Sequence, residues 1–192
     1  MTATKARFLL RQETADLHTE LDAHLSRADF DDRRSYGAFL HSQAGPLLAL
    51  EQAIAGSSIE RDITDWGGRR RSDAMQADLA LLGLTPPPVV PVGPGFQNPD
   101  RLFGALYVLE GSRLGAVYLS RHARASRDPA VRTAVRYLTH GEGRSLWPSF
   151  LQDLARREEA GLDPVKLVDG AREAFAMFLR SARAGVPEPA AP

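Results

Sequence analysis

Apolar side chains return at steps of three and four through most of this chain, the period of amphipathic helices. Leu10, Leu17, Leu21 and Leu25, with Thr14 among them, predict one helix over residues 5–25. A polar stretch at 29–34 interrupts the pattern. Tyr36, Phe39, Leu40, Leu47, Leu48 and Leu50 then carry a second helix to about residue 55. Gly45-Pro46 lies inside it and is expected to kink or break it, because proline has no amide proton to donate. Residues 59–68 are ambiguous. A third helix runs from Ser72, a candidate N-cap, through Met75, Leu79 and Leu82 to Gly83. Residues 84–95, LTPPPVVPVGPG, are too rich in proline for helix or central strand and read as an extended connector within one domain.

Asn98-Pro99 opens the next helix, with asparagine as cap and proline in the first turn. Its body, LFGALYVLEGSRLGAVYLSRHA at 102–123, contains Gly104, Gly111 and Gly115. Each glycine costs about 1 kcal/mol against alanine in a helix interior, so a packing or functional reason is expected. Gly111 and Gly115 are one turn apart and share a face. That bare face suits either the close crossing of another helix or the approach of a flat ligand. Asp128-Pro129 starts a short helix through Val131, Val135 and Leu138, and the loop HGEGRS follows. Another helix spans 146–159 with Trp147, Phe150, Leu151 and Leu154, and Asp163-Pro164 starts the last, with Leu167, Ala171, Phe175 and Phe178. No alternating strand pattern occurs. The expected fold is all-α, about seven helices in one domain over 1–185, with a disordered tail at 186–192.

Composition narrows the function. Apolar content of 43% and charged content of 25% are ordinary for a globular domain, and a net charge of +0 gives no general pull toward nucleic acid or anionic membrane. No spanning helix or signal peptide is visible, and there is no cysteine, which fits a cytoplasmic protein. Scattered arginines and few aromatics argue against a nucleic-acid reader. Phosphate-loop, HExxH and GxSxG motifs are absent, and no glutamate has histidine three positions on, as a di-iron bundle would require.

Five histidines remain: His18, His24, His41, His122 and His140. His18 lies at the edge of the first apolar stripe, with Asp22 one turn later and Arg11 two turns earlier. A carboxylate at that spacing can hold one ring nitrogen and leave the other as a metal ligand. The alternative is an interfacial histidine bonded to Asp22. Combined with the glycine helix, one axial histidine offers two walls for a flat macrocycle, the arrangement of a haem held by a single proximal ligand. Arg11 offers a permanent cation for a propionate, or is a solvated charge.

Two segments carry a family resemblance. LRQETADLHTELD, residues 10–22, resembles the proximal-helix motif of haem oxygenases. LYVLEGSRLGA, residues 106–116, resembles the distal-helix motif of their bacterial branch, which includes enzymes accompanying bacteriophytochromes. The resemblance implies haem sandwiched between proximal and distal helices. His18 matches the iron ligand, and Asp22 stands where glutamate often contacts that ligand. Gly111 and Gly115 match the distal kink glycines, with Ser112 between them. Arg11 matches a propionate contact, and Tyr107 lies near a tyrosine used similarly. Arg113 either reaches a propionate or the distal water, or points to solvent. Phe175 and Phe178 either wall the pocket or belong to the core; Trp147 and Phe150 match a structural pattern. Ala116 replaces a further glycine of some members, and the aspartate that organises distal water in animal-type enzymes is missing. Arg144, Arg156 and Arg157 are candidates for a second propionate clamp.

The implied reaction is opening of haem to biliverdin with release of CO and ferrous iron. Haem is both substrate and cofactor, O2 is consumed, and electrons come from an external ferredoxin, reductase or small reductant. A bacteriophytochrome is a candidate acceptor of biliverdin. A non-enzymatic haem carrier or sensor on the same fold, and a helical interaction protein without haem, are the alternatives.

Overall fold

The computed structural model describes residues 5–89 and 91–184. The expected tail lies outside them. Among the described residues there are ten α-helices, two short 3-10 turns and no strand. The first expected helix is two, α1 (Lys5–Glu13) and α2 (Ala15–Leu25), interrupted at Thr14. Thr14 has φ −118° and ψ 4°, and its hydroxyl donates to Leu10 O at 2.7 Å, a local bond that competes with regular helix geometry. Backbone bonds from Thr14 N to Leu10 O and from His18 N to Thr14 O bridge the interruption, so the two helices stay in register.

Helix α3 (Arg33–Ile54) starts at Asp32, whose carboxylate accepts from the amides of Arg34 and Ser35. It continues through Pro46 without the expected break. Pro46 and its neighbours Leu47, Leu48 and Leu50 are buried, and tertiary packing outweighs the one lost backbone bond. The ambiguous segment holds a 3-10 turn at Ser58–Arg61 and the short helix α4 (Trp66–Arg69). In α5 (Ser72–Leu81), Ser72 is the first helical residue and not the cap; its hydroxyl donates to buried Glu51 instead. Gly83, at φ +73°, closes that segment as a left-handed terminator. The described residues of the connector form no helix or strand until a 3-10 turn at Pro94–Gln97.

Asn98 caps α6 (Pro99–Ala125) by accepting from the amides of Asp100 and Arg101. The next expected helix is again two, α7 (Pro129–Thr133) and α8 (Arg136–Thr139); buried Asp78 accepts from the amides of Arg136 and Tyr137 and so caps the second. Helices α9 (Leu146–Glu159) and α10 (Pro164–Ala184) complete the order. Helix α10 packs on α6, α3 and α2. At the α6–α10 crossing the backbones touch. A Cβ on Gly104 would sit 2.0 Å from Leu167 O, and one on Gly170 would sit 2.0 Å from Arg101 O. Gly104 therefore has the packing reason expected of a helix glycine. Beyond that crossing the stripe does something else.

Candidate active site

Gly104, Gly111 and Gly115 fall on nearly one face of α6, at 3.6 residues per turn. Past the crossing that face looks into a cavity of about 510 Å³ lined mainly by α1, α2, α6 and α10, with Gln43 of α3, Tyr137 of α8 and Trp147 of α9 at its edge. A Cβ on Gly111 would meet only Trp147, at 3.8 Å, and one on Gly115 would meet nothing within 4 Å. The upper part of the stripe is thus bare backbone facing open space.

Helix α2 supplies the opposite wall. The His18 side chain is 63% exposed and stands edge-on to Phe175, with ring centroids 6.0 Å apart and planes at 87°. Its Nδ1 lies 3.4 Å from an Asp22 carboxylate oxygen, which leaves Nε2 without a described protein partner. Arg7, Arg11 and Tyr107 also line the cavity, with Trp147 beside them: Tyr107 and Trp147 are 5.7 Å apart, and the Arg7 guanidinium lies 5.9 Å over the indole. Burial pushes the Tyr107 hydroxyl above its ordinary pKa, and the nearby charges of Arg7 and Arg11 pull against that shift. Two cations and a phenol at the cavity suit carboxylates.

Behind Ser112, the buried Arg71 donates from Nη2 to Leu109 O at 2.8 Å and to Ser112 Oγ at 3.1 Å. Its guanidinium lies 5.1 Å over the Tyr137 ring, and its Nε has no partner.

The cavity gathers His18, Arg11, Asp22, Tyr107, Gly111, Ser112, Gly115 and Phe175. Arg113 does not join them. It is buried on the other side of α6, donating to Glu110, to the Arg69 carbonyl and toward His140, because two positions along a helix turn a side chain to the far face. Arg144, Arg156 and Arg157 pair with Asp65, Asp153 and Asp100 and do not line the cavity. Trp147 and Phe178 do line it, whereas Phe150 is core. Arg7, Gln43 and Tyr137 are lining residues that sequence reasoning missed. Arg7 had a readable signal, one helical turn before Arg11; Gln43 and Tyr137 had none.

The family description "Heme oxygenase" matches residues 4–184. The chain belongs to the haem oxygenase family. A "Heme oxygenase" of Xanthomonas campestris pv. campestris (strain 8004) is 28% identical over 148 residues, covering 77% of this chain and 88% of its own. "Heme oxygenase PigA" of Pseudomonas aeruginosa is 29% identical over 175 residues, covering 86% and 85%. The fold matches a crystal structure of the NO- and CO-bound haem oxygenase of Neisseria meningitidis at a TM-score of 0.79, over 100% of both chains and at 24% identity. As a haem oxygenase the protein is an enzyme of haem breakdown, with haem as substrate. The cavity fits that group: a bare helix face for a flat ring, one imidazole nitrogen without a partner on the facing helix, apolar walls and cations for propionates.

Proposed function

We propose that the protein opens haem to biliverdin, CO and ferrous iron with His18 as the iron ligand and the Gly111–Gly115 face as the distal wall. The observation that carries this assignment is Gly115, a mid-helix residue whose absent Cβ would have nothing within 4 Å beyond its own turn of helix, in the same cavity as His18. When bound, haem supplies both the oxygen-activating centre and the ring that is opened.

The chain's own residues bind, orient and polarise. The Asp22 carboxylate, 3.4 Å from Nδ1 of His18, favours the proton on that nitrogen and leaves Nε2 for the cavity. Arg7, Arg11 and Tyr107 receive the propionates. Phe175 and Phe178 exclude water from one side. Ser112 Oγ donates to Leu109 O and accepts from Arg71, which leaves a lone pair to hold a water over the ring. With the charge of Arg71 behind it, that water is the better proton donor.

Electrons come from an external donor, since the chain has no flavin or nicotinamide motif; a ferredoxin, a reductase or a small reductant would serve. The bacteriophytochrome-associated character of LYVLEGSRLGA supports a photoreceptor as acceptor of the biliverdin. The cytoplasm is the proposed compartment, and a cysteine-free chain requires no oxidising surroundings. No helix of the described residues is long and apolar enough to cross a membrane.

The test is a haem titration of the wild type and of His18→Ala, followed by ascorbate in air. Wild type is expected to form a His-ligated complex that decays to the biliverdin spectrum, and His18→Ala to lose that ligation and turnover. Stable haem without decay would make the protein a carrier or sensor; a complex indifferent to His18 would overturn the site.

A further inference from the structure

The face of α6 turned away from the cavity is held by a buried ion node. Arg69 Nη1 donates to Glu110 Oε2 at 2.7 Å, and Arg113 donates from Nε and Nη2 to Glu110 Oε1 at 3.0 and 2.8 Å. Arg69 and Glu110 are each 1% exposed. Arg69 gives its other donors to Leu146 O, Ser149 Oγ and Thr64 O, at 2.9, 2.7 and 2.7 Å. Asp153 closes the node from α9, accepting from Thr64 and Arg156, with Arg69 Nη2 3.7 Å away. One guanidinium thus ties α6 at Glu110 to the first two turns of α9 and to the loop before α4.

A buried ion pair adds little net stability over an apolar core, so its placement invites a geometric reason. The adjacent residue supplies one. Glu110 precedes Gly111, and Trp147, beside Leu146 on α9, is the side chain nearest the bare stripe at Gly111. Helices set their mutual rotation by fitting side-chain ridges into grooves. The Gly111–Gly115 part of α6 has no ridge on its cavity side, so its rotation there is set by what holds the opposite side.

We propose that Glu110 is a positioning residue: clamped by Arg69 and Arg113, it fixes the rotation of α6 about its own axis and thereby selects which edge of the substrate the bare face covers. The proposal rests on the haem reading above. The clamp requires a carboxylate. Both oxygens accept from guanidinium groups, whereas glutamine would turn N–H toward N–H at one of them and lose that tie.

The test compares wild type, Glu110→Gln and Arg113→Met, each loaded with haem. The readouts are the C–O stretch of the ferrous CO complex, the ratio of biliverdin isomers and the split between kcat and KM. Glu110→Gln is expected to keep haem affinity and KM within about threefold, to lower kcat about tenfold, to shift the C–O stretch and to raise a second isomer. Arg113→Met, which keeps the Arg69 tie, is expected to move the same readouts less. An unchanged C–O stretch with a wild-type isomer ratio in folded Glu110→Gln overturns the proposal. Should that variant not fold, the same result in Arg113→Met overturns it. A wild type that binds haem and CO but makes no biliverdin would sink the oxygenase reading, while the C–O stretch would still decide the clamp.

Discussion

Gly104 and Gly115 belong to one stripe and should respond to the same substitution with opposite signs. In Gly104→Ala the new methyl meets the Leu167 carbonyl and the Ala171 amide, backbone atoms that give way only if α6 and α10 part. The expected cost is about 3 kcal/mol or more, a fall in Tm of roughly 10 °C. In Gly115→Ala the methyl meets nothing, so the ligand-free protein should gain about 1 kcal/mol of helix propensity, a rise of about 2–4 °C. The same methyl intrudes where the substrate sits, so turnover should fall as Tm rises. Thermal melts and turnover of the two variants check this, and a Gly115→Ala enzyme with full activity would count against the distal wall. His140 gives a second prediction. Burial, and then the charges of Arg113, Arg71 and Arg144, hold its pKa down at about 4 against an ordinary value of 6.5. Between those values the unfolded chain binds more protons than the native one, so stability falls as pH falls through that window. The Tm advantage of wild type over His140→Gln should therefore shrink from pH 7 to pH 4.5. Residue by residue, the legible part of the site was what helical spacing fixes: His18, Asp22, Arg11 and the glycines. The same spacing also puts Arg113 on the back of α6. Arg71 and Tyr137 were not legible, because only tertiary contact brings them behind Ser112 and into the wall.

The two helices that bound the cavity differ in how they are held. Helix α6 buries residues along its length and is fixed at Glu110, Leu109 and Gly104. In α2 only Leu21 is buried, and Thr14 interrupts its join to α1. Amides of α2 should consequently exchange with deuterium faster than those at the centre of α6, and haem should protect α2 most. Uniform protection of both helices would show that the walls open together. Caps made the element boundaries readable: Asn98-Pro99 and Asp128-Pro129 start their helices where the side-chain chemistry requires. The interruption at Thr14 was hidden because threonine sits within the apolar stripe. Pro46 did not end its helix for the opposite reason, its local preference for a break being overridden by core packing.

For the whole molecule, the all-α architecture followed from the helical period and the lack of alternation, and the structure adds how the helices are arranged around the cavity. Near-neutral charge conceals a division of labour among the arginines. Arg7 and Arg11 face the cavity, whereas Arg69, Arg71 and Arg113 are buried behind its distal wall. Composition cannot separate those two groups, since both are simply arginine. The crossing of α6 and α10 has a consequence for descent. Gly104 and Gly170 each press against the other helix's backbone, so neither can be replaced alone by a step that natural selection would overlook. The crossing is therefore expected to stand still through a lineage while the residues beyond it, around the open half of the stripe, drift and diversify. Variation in the bilin made by relatives would then accumulate at one end of a single helix and spare the other.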